Sequence, residues 1–207
     1  MSSLAVYTMA GTADAADAAT IARAAYALVL DAVAEVPQDV AKARRRGDSL
    51  NLRDHGVGAS AASGHQNHLL DAHFELAVEE FERALRLDPR CAEALVLCAR
   101  SFVVQAGFSG SAREDVLLHR AAGLFENALR SGHGMEPYSV LQAWGCALLA
   151  LAESSEGWRR SALITDAIAK FEQGYDTKPD AANWINPICA DWDRAVKKMH
   201  SVHQEWR

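Results

Sequence analysis

The feature that most constrains this chain is a spaced triplet, Ala-x3-Phe-x2-small, which occurs three times: Ala77/Phe81/Ala84, Ala121/Phe125/Ala128 and Ala167/Phe171/Gly174. The phenylalanines stand 44 and 46 residues apart. Intervals of four and three put each triplet on one face of an α-helix, a large ring between two small residues. One helix cannot bury such a stripe alone, so each copy needs a partner helix and the copies need one another.

The stretch from His73 to Phe102 supplies a partner. Phe74, Ala77, Val78, Phe81, Ala84 and Leu85 recur at three and four residues, and Asp88-Pro89 stops the helix, because proline disfavours a helical conformation in the residue before it. Leu95, Cys98, Ala99 and Phe102 then resume the spacing, Leu141/Trp144/Gly145/Leu148 repeat it, and Ile21/Ala24/Ala25/Leu28 give an N-terminal version. Small residues at Ala99 and Gly145 belong where two helices approach most closely.

The spacing predicts helices at about 13–36, 65–87, 92–106, 112–131, 137–153 and 158–177. In the first, Ile21, Ala25, Leu28, Ala32 and Val36 share the apolar face. Asn186-Pro187 reads as an N-cap and first-turn proline opening a last amphipathic helix with Ile188, Trp192, Ala195, Val196, Met199 and Val202. Residues 1–12 are expected to fray. Residues 37–64, charged and then GVGASAASG, read as a flexible linker. The division is therefore 1–64, an N-terminal helix plus linker, and 65–207, a helical-repeat domain with a capping helix.

Half the residues are hydrophobic and no stretch alternates as a strand would, so the fold class is all-α. A net charge of −6 argues against a nucleic-acid partner, and the basic tract Lys42-Ala-Arg44-Arg45-Arg46 reads as solvated linker. Cys91, Cys98, Cys146 and Cys189 form no C-x-x-C pair and read as packed thiols in a reduced compartment. Asp14 and Asp17 precede the first arginine, Arg23, which fits no secretory or transit signal. No apolar run nears the roughly 20 residues that span a bilayer. The expected location is cytoplasmic.

Catalytic motifs are missing from the sequence: there is no P-loop, no H-E-x-x-H and no Gly-x-Ser-x-Gly, and Gly56-Val-Gly58 lacks a preceding strand. His65, His68, Asp71 and His73 gather four possible metal ligands near one helix start. They cannot all share a helical face, and no cysteine lies at ligand spacing. His200 and His203 read as exposed. No enzyme, cofactor or metal is expected.

The paired-helix pattern resembles the tetratricopeptide repeat (TPR), a right-handed solenoid of helical hairpins. The interval here exceeds the family's usual repeat of about 34 residues by roughly ten, so the second helices are expected to overhang the first by two or more turns. Trp144-Gly145-x2-Leu148-Leu149-x-Leu151, followed by Ala167-Ile168-x-Lys170-Phe171-Glu172, is similar to the plant-type mitochondrial presequence receptor of the outer-membrane translocase. In that family a cytosolic TPR domain binds amphipathic presequence helices in an apolar groove. The resemblance implies a protein-protein adaptor whose first helices line a concave groove. The groove positions would be Glu93, Val96, Arg100 and Val103 in one repeat and Ser139, Gln142, Cys146 and Leu149 in the next. It also implies a protein or peptide partner and, as a second location, the cytosolic face of the mitochondrial outer membrane. The alternative is a structural TPR subunit of a larger assembly. Among the tryptophans, Trp184 and Trp192 are expected to seal the cap, whereas nothing forces Trp158 or Trp206 to be buried.

Overall fold

The computed structural model describes residues 3–34, 58–109, 111–132, 134–153, 155–177, 191 and 193–199. Among these residues are seven helices and no strand: α1 (Ser3–Ala34), α2 (Gly58–Leu87), α3 (Ala92–Ala106), α4 (Ser111–Ser131), α5 (Pro137–Glu153), α6 (Gly157–Asp176) and α7 (residues 193–199). They pack in three pairs, α1 with α2, α3 with α4 and α5 with α6. The first helices α1, α3 and α5 also lie side by side, whereas the backbones of the second helices α2, α4 and α6 stay apart and are bridged by ion pairs such as Arg113–Asp71 and Arg159–Glu114.

Local chemistry places the breaks. After α2, the Asp88 N–H still reaches Ala84 O, but Pro89 cannot continue the ladder. Asp88 Oδ1 accepts the Arg90 N–H at 2.9 Å and the Cys91 N–H closes onto Asp88 O at 3.2 Å, a tight turn that starts α3 within four residues. Between α4 and α5 the chain turns through Gly132 (φ 62°) and Gly134 (φ 85°), backbone conformations that side chains resist. Pro137 then opens α5, at the one helical position where its missing N–H matters least.

Phe81, Phe125 and Phe171 occupy equivalent places, each fully buried on its second helix. The small residues flanking them, Ala77, Ala84, Ala121, Ala128, Ala167 and Gly174, are buried as well. Burial of each ring contributes on the order of 1.5–3 kcal/mol. α3, enclosed by α1, α2, α4 and α5, is apolar nearly all round. Its buried polar Ser101 is satisfied by donating to Leu97 O at 3.0 Å. Trp144 of α5 stacks on Phe125 of α4, with ring centroids 5.1 Å apart and planes 10° from parallel, and Lys170 Nζ sits 3.9 Å from the Trp144 centroid. The stack joins one pair to the next.

Four expectations are corrected. α1 begins at Ser3 rather than near residue 13, since alanine, leucine and methionine carry the helix upstream. Its buried stripe is Ala18, Ala22, Ala25, Val29 and Ala32, and Leu28 is 41% exposed: the faces toward α2 and α3 take small side chains, and Leu28 points between them and solvent. α2 starts at Gly58, so the segment GASAASG is helical, not linker; its three alanines and the long contact between α2 and α1 outweigh the two glycines. Finally, α4 has 21 residues against 15 in α3, and α6 has 20 against 17 in α5, so the overhang is under two turns. The added length is shared between both helices of a pair and their turn. Residues 37–57, Asn186-Pro187, Trp184 and Trp206 lie outside the described residues.

Candidate functional site

Side-chain contacts fix the direction of the first helices. Arg23 of α1 forms a two-pronged ion pair with Glu93 at the start of α3, at 2.6 and 2.8 Å. Three residues on, Tyr26 lies beneath the guanidinium of Arg100, 4.8 Å from the ring centroid. Residues advance together on both helices, so α1 and α3 run the same way.

Between the three helices lies a cleft of about 490 Å³. Tyr26 and Val33 of α1 form one wall and Cys146, Ala147, Ala150 and Leu151 of α5 the other. Arg100, Val103 and Val104 of α3 make the floor, and Gly107 and Phe108, in the turn after α3, close one end. The lining is mostly apolar, with two charged residues of opposite sign. Glu153 at the closed end is engaged by Lys198 of α7. Arg100 has no ion-pair partner among the described residues; its guanidinium lies over the Tyr26 ring.

The eight sequence-derived positions separate into three groups. Arg100, Val103 and Cys146 line the cleft together. Val96 and Leu149 are buried in the helix-packing core and do not line it. Glu93, Ser139 and Gln142 lie beyond its walls: Glu93 is held by Arg23, Ser139 sits in the first turn of α5 with its N–H on Glu136 O, and Gln142 donates to Asp191. A repeat pattern identifies which helix lines a groove, but one residue per turn faces it, and crossing angles choose which. Tyr26 and Phe108 escaped the sequence reading because neither belongs to a packing signature. An aromatic residue beside a stripe of alanines was the available signal for Tyr26.

Asp191 forms the second part of the site. Its Oδ2 accepts from Gln142 Nε2 at 2.9 Å and from Cys146 Sγ at 3.2 Å, and its Oδ1 meets Arg194 at 2.9 Å. With Lys198 on Glu153 and Ser161 Oγ against Met199 Sδ at 3.7 Å, these contacts seat α7 along α5 and α6. Ala195 is fully buried there. Burial, then the Asp191 carboxylate, push the Cys146 thiol up to about 12, and burial alone accounts for most of the same rise at Cys98. Both thiols stay protonated at neutral pH and are poor nucleophiles. Cys91, Cys98 and Cys146 are free thiols.

Among the described residues no cluster of His, Cys, Asp and Glu is arranged to hold a metal ion. The His65 and His68 side chains, and His200 and His203, lie outside that set. No helix among the described residues is long and apolar enough to cross a membrane. Comparison with known proteins finds no family model, no curated relative and no solved structure that matches the chain.

Proposed function

We propose that this chain is a non-enzymatic, TPR-like helical-repeat adaptor that takes a helical or extended segment of another protein into the cleft between α1, α3 and α5. The repeat reading draws support from the equivalent burial of Phe81, Phe125 and Phe171 on second helices and of Ala99 and Gly145 on first helices. The observation that carries the binding reading is a mostly apolar cleft in which Arg100 has no ion-pair partner among the described residues, while its other charged residue, Glu153, is engaged by Lys198. A segment with an acidic side chain among apolar ones complements that lining. A basic, presequence-like helix would bring like charges together at Arg100, so the cleft favours the acidic class.

Fluorescence titration of acidic amphipathic peptides tests this against the wild type and two variants. Ala150→Trp fills the cleft from an exposed position, and Arg100→Glu reverses its charge. Each is expected to weaken binding at least tenfold with helicity unchanged. Equal affinity for all three proteins would remove the cleft from consideration.

A second reading, a structural subunit of a larger assembly, rests on Trp158, which is 75% exposed in the first turn of α6. Sedimentation of the purified chain separates the two: a monodisperse monomer supports the adaptor, and self-association relieved by Trp158→Ser supports the subunit.

A further inference from the structure

A second groove lies on the opposite layer, away from the cleft. α2 and α4 run alongside each other yet scarcely touch, because α3 packs between and beneath them. Two cavities of about 430 and 330 Å³ follow the gap and share Val78, Phe102 and Arg120, making one furrow several helical turns long. Phe102 of α3 is its floor.

Gly123 in the middle of α4 is the telling residue. Glycine in a helix interior is destabilising relative to alanine, so its presence calls for a reason. At Gly145 the reason lies within the fold, since a Cβ there would sit 2.5 Å from the Phe171 ring. At Gly123 nothing among the described residues lies within 4 Å of an added Cβ, and the glycine opens directly onto the furrow. No described residue makes the close approach that it permits.

Charge indicates what kind of partner would make that approach. Glu75, Glu79 and Glu82 stand along the α2 rim at intervals of four and three, on one helical face. Glu75 and Glu79 have no ion-pair partner among the described residues, and Glu82 meets Arg86 of its own helix at 3.9 Å. Of the cations on the α4 rim, Arg113 meets Asp71 at 3.8 Å, and Arg120 lies over the Phe102 ring at 4.5 Å with no ion-pair partner among the described residues. The unpaired charge of the furrow, Glu75 and Glu79 against Arg120, is therefore negative on balance. We propose that the furrow between α2 and α4 docks a basic amphipathic helix of a partner protein, with a small residue of that helix against Gly123 and its lysines or arginines along Glu75, Glu79 and Glu82.

The test is selection of a displayed library of amphipathic helices against the full chain. Flank positions spaced four and three residues apart vary among Lys, Gln and Glu, and the crossing position between Ala and Leu. Enrichment of Lys flanks and Ala crossings is expected. Affinity for the selected helix should fall at least tenfold in Gly123→Leu and in the double variant Glu75→Lys/Glu79→Lys, and stay unchanged in Ala150→Trp. Gly123→Ala should melt no lower than wild type, showing that the glycine has no packing role inside the chain. The proposal is overturned if nothing is enriched, if Glu or Gln flanks win, or if binding survives Gly123→Leu. It is equally overturned if Gly123→Ala lowers the melting temperature, or if Gly123→Leu abolishes a dimer of this chain, which would make a second copy the occupant.

Discussion

The ring of Phe171 lies flat against Gly145: a Cβ at that glycine would stand 2.5 Å from Cε1 and 2.8 Å from Cδ1 and Cζ. Phe171 is fully buried, so the ring has no space into which to retreat. This contact sets how closely α5 and α6 approach, and the spacing of the last pair follows from it.

Gly145→Ala is therefore expected to destabilise, although alanine is the better helix former. Overpacking of a filled core costs roughly 1–3 kcal/mol, and the short distances place this site near the top of that range. The gain in helix propensity returns only about 0.5–1 kcal/mol. A net loss near 2 kcal/mol should lower the melting temperature by roughly 4–8 °C. Gly123→Ala, with open space around it, should raise it. Thermal melts of the two variants side by side make the comparison, and a gain at both sites would refute the close contact.

Removal of the Asp191 side chain leaves Gln142 Nε2 and Cys146 Sγ without their acceptor and frees Arg194. The loss of such buried partners is on the order of 1–3 kcal/mol. The seat of α7 should loosen before the rest. Limited trypsin digestion of Asp191→Ala should cut sooner after Arg194, Lys197 and Lys198 than digestion of wild type does, with α1–α6 persisting.

Alkaline pH should unfold the chain through its buried thiols. The folded state raises Cys98 and Cys146 from the ordinary 9.0 to about 12, so it holds these protons more tightly than the unfolded chain does. The stabilising contribution is complete below pH 9 and drains away as pH climbs toward 12. Urea midpoints should fall across that window, and Cys98→Ala should flatten the decline even if it lowers stability at pH 7. An unchanged slope would argue that neither thiol titrates in the folded protein.

Glu114 and Arg159 tie α4 to α6 through a 2.6 Å ion pair in which both side chains are largely buried. Burial pushes the Glu114 carboxyl up despite the opposing pull of Arg159, so its charge is a burden in the folded state. Stability from this group is present at low pH and declines as pH rises through its folded value. Glu114→Gln should be close to neutral at pH 7, since Arg159 retains Asp115 at 3.3 Å. Arg159→Ala strands a buried carboxylate and should cost more, toward about 3 kcal/mol. Denaturant titrations that rank the variants the other way would show the pair to be favourable on balance.

Much of this architecture is legible in the residues. Periodicity at three and four locates α3 to α6 within a residue or so, because an apolar stripe has to be covered wherever the helix lies. Gly145 betrays the close approach of α5 and α6, and Pro89 marks the tight turn for a reason confined to its own ring. The boundaries of α1 and α2 were less readable, since GASAASG is loop-like in composition and becomes helical when a long neighbouring helix is there to pack against. The exposure of Leu28 likewise depends on which faces α2 and α3 claim.

The sequence by itself determined that helices would pair and that a ring would lie buried in each second helix, because helical spacing and side-chain volume are local properties. A family resemblance added the expectation of a groove on the first helices. Only the tertiary structure decided that Arg100, Val103 and Cys146 face one cleft while Val96 and Leu149 are packed away. Tyr26 and Phe108 join that cleft, and Asp191 returns from far along the chain to clasp Gln142 and Cys146. Those outcomes depend on the angles and rotations at which separate helices meet, which arise from the packing of many side chains at once and leave no mark in the spacing of any one segment.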